Sequence, residues 1–373
     1  RGLHGAPTLI LRLALLALLL WLPLYRMLDC GAPKQPPNVV VIVVDTLRAD
    51  RLGCYGNPRG LTPFLDELAG RSVRFDQAYS ASSWTNPSVA SIFSSRYPLQ
   101  HQVRAFESRF PSTENTLAEV FQRAGYVTAG FSGNIQLAGK MGWSQGFRVW
   151  QSYPEIIKPR ASYVIDHVLA WLDGGWFRGD SRPLLLYVQL MDPHAPYTAP
   201  EEFRSRFALP DATDASIATV NGMLEGLQWA NLTEANIALL RSLYDAEVAY
   251  ADSQVRRLYE ALRERGVLDN AVVVVTADHG EEFNEHHAMA HGLTLYEPAI
   301  RVPLLIQRTG RSAAAVVSQN VSLIDLAPTM VDLAGLPKQA SFEGRSLRSF
   351  LDERVTDGVI RRAIDKWLKA GVL

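Results

Sequence analysis

Cysteine is almost missing from this chain: Cys30 and Cys54 are the two that its 373 residues contain. Two thiols exclude a disulfide scaffold and a multi-thiolate zinc site. Cys30 sits in the N-terminal segment and Cys54 follows the first strand-like run, so no bridge between them is expected. Charge of one sign is also lacking, because the formal net charge is -1. A nucleic-acid partner is therefore not expected. Internal repeats and low-complexity tracts are absent. Long apolar runs are confined to the start of the chain. Leu9 to Leu24 is apolar except for Arg12 and Pro23, and Arg1 and Arg12 precede its Leu13–Trp21 core. The segment reads as a signal peptide or short membrane anchor, with export and membrane contact as the expected consequences. A proline-rich linker follows, Gly31-Ala32-Pro33-Lys34-Gln35-Pro36-Pro37.

What remains is an ordinary globular composition, 47% hydrophobic and 20% charged. Short apolar runs recur at Val39–Val44, Tyr126–Phe131, Leu184–Leu190, Val272–Thr276 and Val302–Ile306. Runs of this kind, rich in β-branched residues, read as strands buried on both faces of a parallel sheet. Helical patterns over Thr62–Leu68, Thr116–Ala124, Ala235–Arg265 and Ile324–Leu333 alternate with them, and Gly335 marks a helix end. The alternation predicts an α/β fold with helices on both faces of the sheet. In the long helix, Leu240, Leu243, Tyr244, Val248, Ala251, Val255 and Leu258 form the buried stripe. Asp245, Glu247 and Asp252 are expected on a wet face beside it.

The chemistry gathers where strands end. Val44 runs into Asp45, and Ala277 runs into Asp278-His279-Gly280. Catalytic side chains of open α/β sheets collect at such carboxyl ends. Two carboxylates and an imidazole suit a divalent metal. Between them in the chain stands Thr85-Asn86-Pro87-Ser88. Threonine is a good N-cap and proline fits a first helical turn, so Thr85 is expected to cap a helix at its positive end. A metal beside that hydroxyl would make it a nucleophile. His194, in Met191-Asp192-Pro193-His194-Ala195-Pro196-Tyr197, follows the Leu184–Leu190 strand and could bind an anion or protonate a leaving group. His286 and His287 read as solvated loop residues, whereas His291 is a second candidate for the site.

Taken in order, these segments resemble the sulfatase family of the alkaline-phosphatase superfamily. The resemblance is carried by Val44-Asp45-Thr46-Leu47-Arg48-Ala49-Asp50, Thr85-Asn86-Pro87-Ser88, Ser95-Arg96-Tyr97-Pro98, Asp192-Pro193-His194-Ala195-Pro196-Tyr197 and Asp278-His279-Gly280-Glu281. Leu295-Tyr296-Glu297, Ile300-Arg301-Val302-Pro303-Leu304 and Asp325-Leu326-Ala327-Pro328-Thr329 complete it. It spans residues 38 to 350. It implies an alkaline-phosphatase-like α/β/α sandwich with a mostly parallel central sheet and a reduced or missing C-terminal subdomain. Residues 1–37 would be the signal peptide or anchor plus linker. Residues 38–350 would be the catalytic domain and 351–373 a short helical tail.

The resemblance also implies roles. Asp45, Thr85, Asp278 and His279 are metal ligands, Thr85 is the nucleophile as well, and His194 contacts the transferred group or leaving oxygen. His291 and Asn134 are substrate contacts. One divalent cation is expected, manganese, zinc, magnesium or calcium. Family sulfatases carry Cys or Ser matured to formylglycine, followed by an arginine. Here Thr85 and Val89 stand at those positions. The second acidic ligand is replaced by Thr46, and Ser132-Gly133-Asn134 lies where a sulfate-gripping Lys-x-His pair is expected. Threonine resembles the nucleophile of phosphotransferases and phosphodiesterases of the superfamily. The leading expectation is a metal-dependent hydrolase of small anionic sulfate or phosphate esters, including glycan- or lipid-linked ones. An envelope phosphoethanolamine- or phosphoglycerol-type transferase and an inactive anion-binding pseudoenzyme are the alternatives.

Overall fold

The computed structural model describes residues 35–176, 182–309 and 314–352. The expected signal peptide or anchor and the tail after Asp352 lie outside these. Among the described residues no helix is long and apolar enough to cross a membrane.

A valine-rich strand sets the centre. β1 (Asn38–Val44) is buried on both faces from Val39 onward, which is why it reads as an unbroken apolar run. Around it lies an eight-stranded sheet. Its other strands are β2 (Val73–Phe75), β3 (Val127–Ser132), β4 (Val149–Ser152), β5 (Leu184–Leu190), β6 (Ala271–Thr276), β7 (Leu304–Arg308) and β8 (Ala315–Val317). The spatial order is β8-β2-β7-β6-β1-β5-β3-β4. The stretch from β6 to β4 is parallel throughout. β7 runs antiparallel to both β6 and β2. Helices cover the sheet, so the architecture is the expected α/β/α sandwich.

Register brings the chemistry to one edge. Val43 pairs with Gln189 of β5 and with Thr276 of β6, and Ser132 of β3 pairs with Gln189. The carboxyl ends of β1, β3, β5 and β6 are therefore level. Asp45, Asn134, the loop bearing His194, and Asp278-His279 all emerge there.

Two expectations are corrected. The run at Val302–Ile306 is not one strand. Arg301–Val302 pairs with Ala78–Tyr79 in a separate small sheet, and the main sheet takes up the chain at Leu304. Pro303 has no N–H for a ladder, so the switch falls there. Asp245, Glu247 and Asp252 are buried rather than wet. They lie on the long helix α3 (Glu234–Glu264). Asp252 accepts from the N–H groups of Phe64 and Leu65, at 3.0 and 2.8 Å. It thereby caps α1 (Pro63–Ala69), whose own Thr62 supplies no side-chain cap. Asp245 pairs with Arg51 and Arg59, and Glu247 with Lys158. Periodicity alone does not reveal partners that are distant in the chain.

His101 is buried against Ser91 of the helix Thr85–Ser94. Val103 N donates to its Nδ1 at 3.1 Å, so the ring proton is on Nε2, facing Ser91 Oγ at 3.1 Å. Burial pushes its pKa down from 6.5 to about 4. Between these values the unfolded chain binds the proton and the native one does not. Stability from this group is complete above pH 6.5 and is lost as pH falls toward 4. The urea midpoint should therefore fall more steeply over that window in the wild type than in His101→Gln. Parallel midpoint curves would contradict this assignment.

Candidate active site

Thr85 opens α2 (Thr85–Ser94), a helix in which every residue is buried. The N-cap is Trp84, not Thr85, and no side chain caps the helix. The expectation of a capping threonine is thus corrected. Thr85 is the first helical residue, and its hydroxyl is turned to other partners. Oγ1 lies 3.3 Å from His279 Nε2 and 3.2 Å from Asn134 Nδ2. Pro87 sits within the first turn, where its missing N–H costs nothing.

His279 belongs to a fully buried cluster with Asp45 and Asp278, whose ligand atoms lie within 4.8 Å of one another. His279 Nε2 is 3.7 Å from Asp45 Oδ1 and 3.7 Å from Asp278 Oδ2. The Nδ1 of His279 lies 2.9 Å from the carbonyl of Gly280. A carbonyl accepts only, so the proton sits on Nδ1 and the Nε2 lone pair faces the two carboxylates. Thr85 then donates to that lone pair. Burial holds His279 down to about 4, with His291 adding to the effect. Burial raises Asp278 to about 6 and raises Asp45 as well, the latter helped by the nearby Asp278. Among the described residues Asp45 Oδ1 has no hydrogen-bond partner. An orphan carboxylate oxygen, a second carboxylate and an imidazole nitrogen converge, and the donors that reach them are neutral amide and hydroxyl groups. Buried anionic oxygens of this kind require a counter-charge, and the donor set fits a divalent cation.

The surrounding residues hold this constellation. Gln189 Nε2 donates to Asp45 Oδ2 at 3.2 Å and to Asp278 Oδ2 at 3.0 Å. Asn134 Nδ2 donates to Asp45 Oδ2 at 2.7 Å as well as to Thr85. Asp278 Oδ1 accepts from the N–H groups of His279 and Thr46. Gly280 admits no side chain, because a Cβ there would stand 1.9 Å from the carbonyl of Pro298.

His194 and His291 flank the cluster and are partly exposed. Their ring centroids are 4.9 Å apart, and His291 is 4.5 Å from His279. The His194 Nδ1 donates to the carbonyl of Ala195 at 2.6 Å, leaving Nε2 free. Burial lowers its pKa, against the pull of Asp45. His291 behaves oppositely. Burial opposes its charge, but the Glu281 carboxylate, 2.9 Å from its Nδ1, outweighs that and raises its pKa. Asp192 does not face the cluster. It accepts from Ala161 N at 2.6 Å and lies 3.5 Å from Lys158 Nζ. His286 and His287 are exposed, and His286 rests on Tyr296 and pairs with Glu282 at 3.2 Å. Both match the reading of solvated loop residues.

Sequence reasoning missed Gln189 and Glu281. Gln189 had a signal, as the one amide in the apolar run Leu184–Leu190. Glu281 had none beyond adjacency to Asp278-His279-Gly280. It is fully buried, and its second oxygen accepts from Tyr197 OH at 3.1 Å. One carboxylate thus ties His291 to the loop that carries His194.

Comparison with known proteins bears on the family and the fold. The family model described as Sulfatase matches residues 37–336. An arylsulfatase of Clostridium perfringens is 24% identical, over 85% of this chain and 79% of that protein. Arylsulfatase K of Bos taurus is 28% identical over 83% of this chain, which spans only 65% of that relative's length. Among solved structures, the phosphonate monoester hydrolase of Agrobacterium radiobacter superposes with a TM-score of 0.71. The identity is 22%, and 86% of this chain and 78% of that one are covered. The corresponding enzyme from Silicibacter pomeroyi gives 0.68 at 23% identity, over 86% and 78%. At these identities the superpositions establish the shared fold.

Proposed function

Because the chain belongs to the sulfatase family, we propose that it is a metal-dependent ester hydrolase with Thr85 as nucleophile. One observation carries the reading. The Thr85 hydroxyl is buried, makes no capping bond, and adjoins the Asp45/Asp278/His279 cluster. Those three residues, with Thr85 beside them, would hold one divalent cation. Bound there, it would supply positive charge that acidifies the hydroxyl and stabilises charge on the ester oxygens. Two carboxylates and one imidazole suit manganese or zinc and admit magnesium or calcium.

The chain's own residues account for the remainder. Asn134 donates to Thr85 Oγ1 and so fixes the direction of its lone pairs. Its role is to orient the nucleophile, with its amide engaged by Asp45 and Thr85. Thr85 Oγ1 gives its proton to solvent and bonds to the sulfur or phosphorus of the ester, and the bond to the leaving oxygen breaks. His291, held through Nδ1 by Glu281, protonates that leaving oxygen from its other ring nitrogen. His194 presents a free Nε2 to the transferred group. Water then releases the product from Thr85. The substrate class is a small anionic ester of sulfuric or phosphoric acid, free or linked to a glycan or lipid. The matched relatives are named for both chemistries, arylsulfatase and phosphonate monoester hydrolase.

The test is a panel of para-nitrophenyl sulfate, para-nitrophenyl phosphate and a phenylphosphonate monoester, each with manganese, zinc, magnesium or calcium. At least one ester is expected to turn over with added cation and to stop on chelation. Purified protein that binds no cation and hydrolyses none of the three would reject the proposal.

A further inference from the structure

The reacting cluster is closed off by packing, and its partly exposed members are His194 and His291. Two loops are pinned to the residues on either side of Thr85. On one side, Gly292 N donates to Ser83 O at 2.8 Å. A Cβ on Gly292 would stand 3.6 Å from Trp84 Cβ. On the other side, Asn86 Nδ2 donates to the carbonyl of Phe106 at 3.1 Å. Both loops hold large apolar side chains in solvent. Phe106 is 61% exposed, Leu293 64% and Leu295 69%. Tyr296 ends the second loop, exposed along one side and stacked on His286.

Single exposed apolar side chains are ordinary on a soluble protein. Here two loops that carry them are both anchored to residues flanking the buried Thr85, and exposed apolar groups so placed mark a binding surface. Recognition of a polyanionic glycan would place arginine or lysine at these positions. The loop after His291 instead reads Gly292-Leu293-Thr294-Leu295-Tyr296. Arg104 and Glu107, near Phe106, offset each other in charge. A charged centre with an apolar border complements an amphiphile, with an anionic head inside and an apolar tail on the rim.

We infer that Phe106, Leu293, Leu295 and Tyr296 form a subsite for an apolar leaving group, an aryl ring or alkyl chain, on the anionic ester. The inference rests on the proposed hydrolase only for the position of the reacting bond. Binding without turnover tests it. Methyl-, butyl- and octylphosphonate are titrated calorimetrically into the full, metal-loaded chain. Affinity should rise with chain length, on the order of tenfold or more from methyl to octyl. The triple variant F106S/L293S/L295S should lose that rise, keep its affinity for methylphosphonate, and unfold at the wild-type midpoint.

Equal affinity of the wild type for all three chains would overturn the subsite. So would a variant that weakens methyl- and octylphosphonate alike. A wild-type dimer in sedimentation that the variant dissolves would assign the rim to a second copy, and would also overturn it. If chain-length dependence holds while the wild type hydrolyses no ester, the subsite stands and the Thr85 chemistry is rejected.

Discussion

Thr85→Ala should abolish ester turnover while leaving the protein folded. The expected loss in kcat is on the order of 10⁴-fold or more, the scale seen when a covalent nucleophile is removed. Folding should survive because the Thr85 hydroxyl caps nothing. Alanine is also the best helix former, so the first turn of α2 is not weakened. Thr85→Ser keeps the attacking oxygen and should retain measurable activity. Its hydroxyl rotates more freely without the methyl group, so some loss in kcat is expected. A quenched reaction followed by peptide mapping gives a second readout. In the wild type, the peptide containing Thr85 should gain the mass of one sulfuryl or phosphoryl group. Turnover that persists in Thr85→Ala, or labelling at another residue, would remove Thr85 from the mechanism.

Much of this site could be read without coordinates, for definite reasons. Asp45 and Asp278 follow valine runs, and a valine run on both faces is the mark of a central parallel strand. Level strand ends then bring the two carboxylates together, as the register of Val43 with Thr276 shows. His279 followed directly from Asp278. The conformation of Thr85 did not, because the sequence of a helix start does not say which residue is the cap. Trp84 takes that position, and the displacement by one residue frees the hydroxyl for His279 and Asn134.

Other features left no trace in the sequence. The strands β2, β4 and β8 are three or four residues long, too short for alternation to register. β8 and β2 lie at one edge of the sheet and β4 at the other, places that come from tertiary pairing. The acidic residues of α3 were misread for a related reason. Charges beside an apolar stripe look solvated unless a partner is known, and Lys158, Arg51 and Arg59 are all distant in the chain. Glu281 is similar. Its two partners, His291 and Tyr197, come from different loops, so neither spacing nor composition pointed to it.

Lys158→Met should cause the largest loss of stability among these substitutions. Lys158 is 8% exposed and lies within Glu155-Ile156-Ile157-Lys158-Pro159, a segment with no motif. Its Nζ is 3.0 Å from Glu247 Oε1, 3.5 Å from Asp192 Oδ1 and 2.7 Å from the carbonyl of Pro196. Asp192 and Pro196 bracket His194, so one buried ammonium holds the His194 loop at both ends. Removing it leaves two buried carboxylates without a counter-charge. Breaking one partner of a buried ion pair costs about 3–5 kcal/mol. The pH dependence follows from Glu247. Burial raises its pKa from 4.5 to about 7, against the pull of Lys158. Between these values the native state keeps a proton that the unfolded chain has released, so this group lowers stability as pH rises. Without Lys158 the shift grows, and the deficit of Lys158→Met should be larger at pH 8 than at pH 5. Adding Glu247→Gln removes one orphaned charge and should recover part of the loss. The His194 loop should remain slack in that double variant, with kcat still reduced. Urea midpoints and kcat measured at both pH values decide the matter. A Lys158→Met protein as stable as the wild type at pH 8 would show that Lys158 does not neutralise this buried pair.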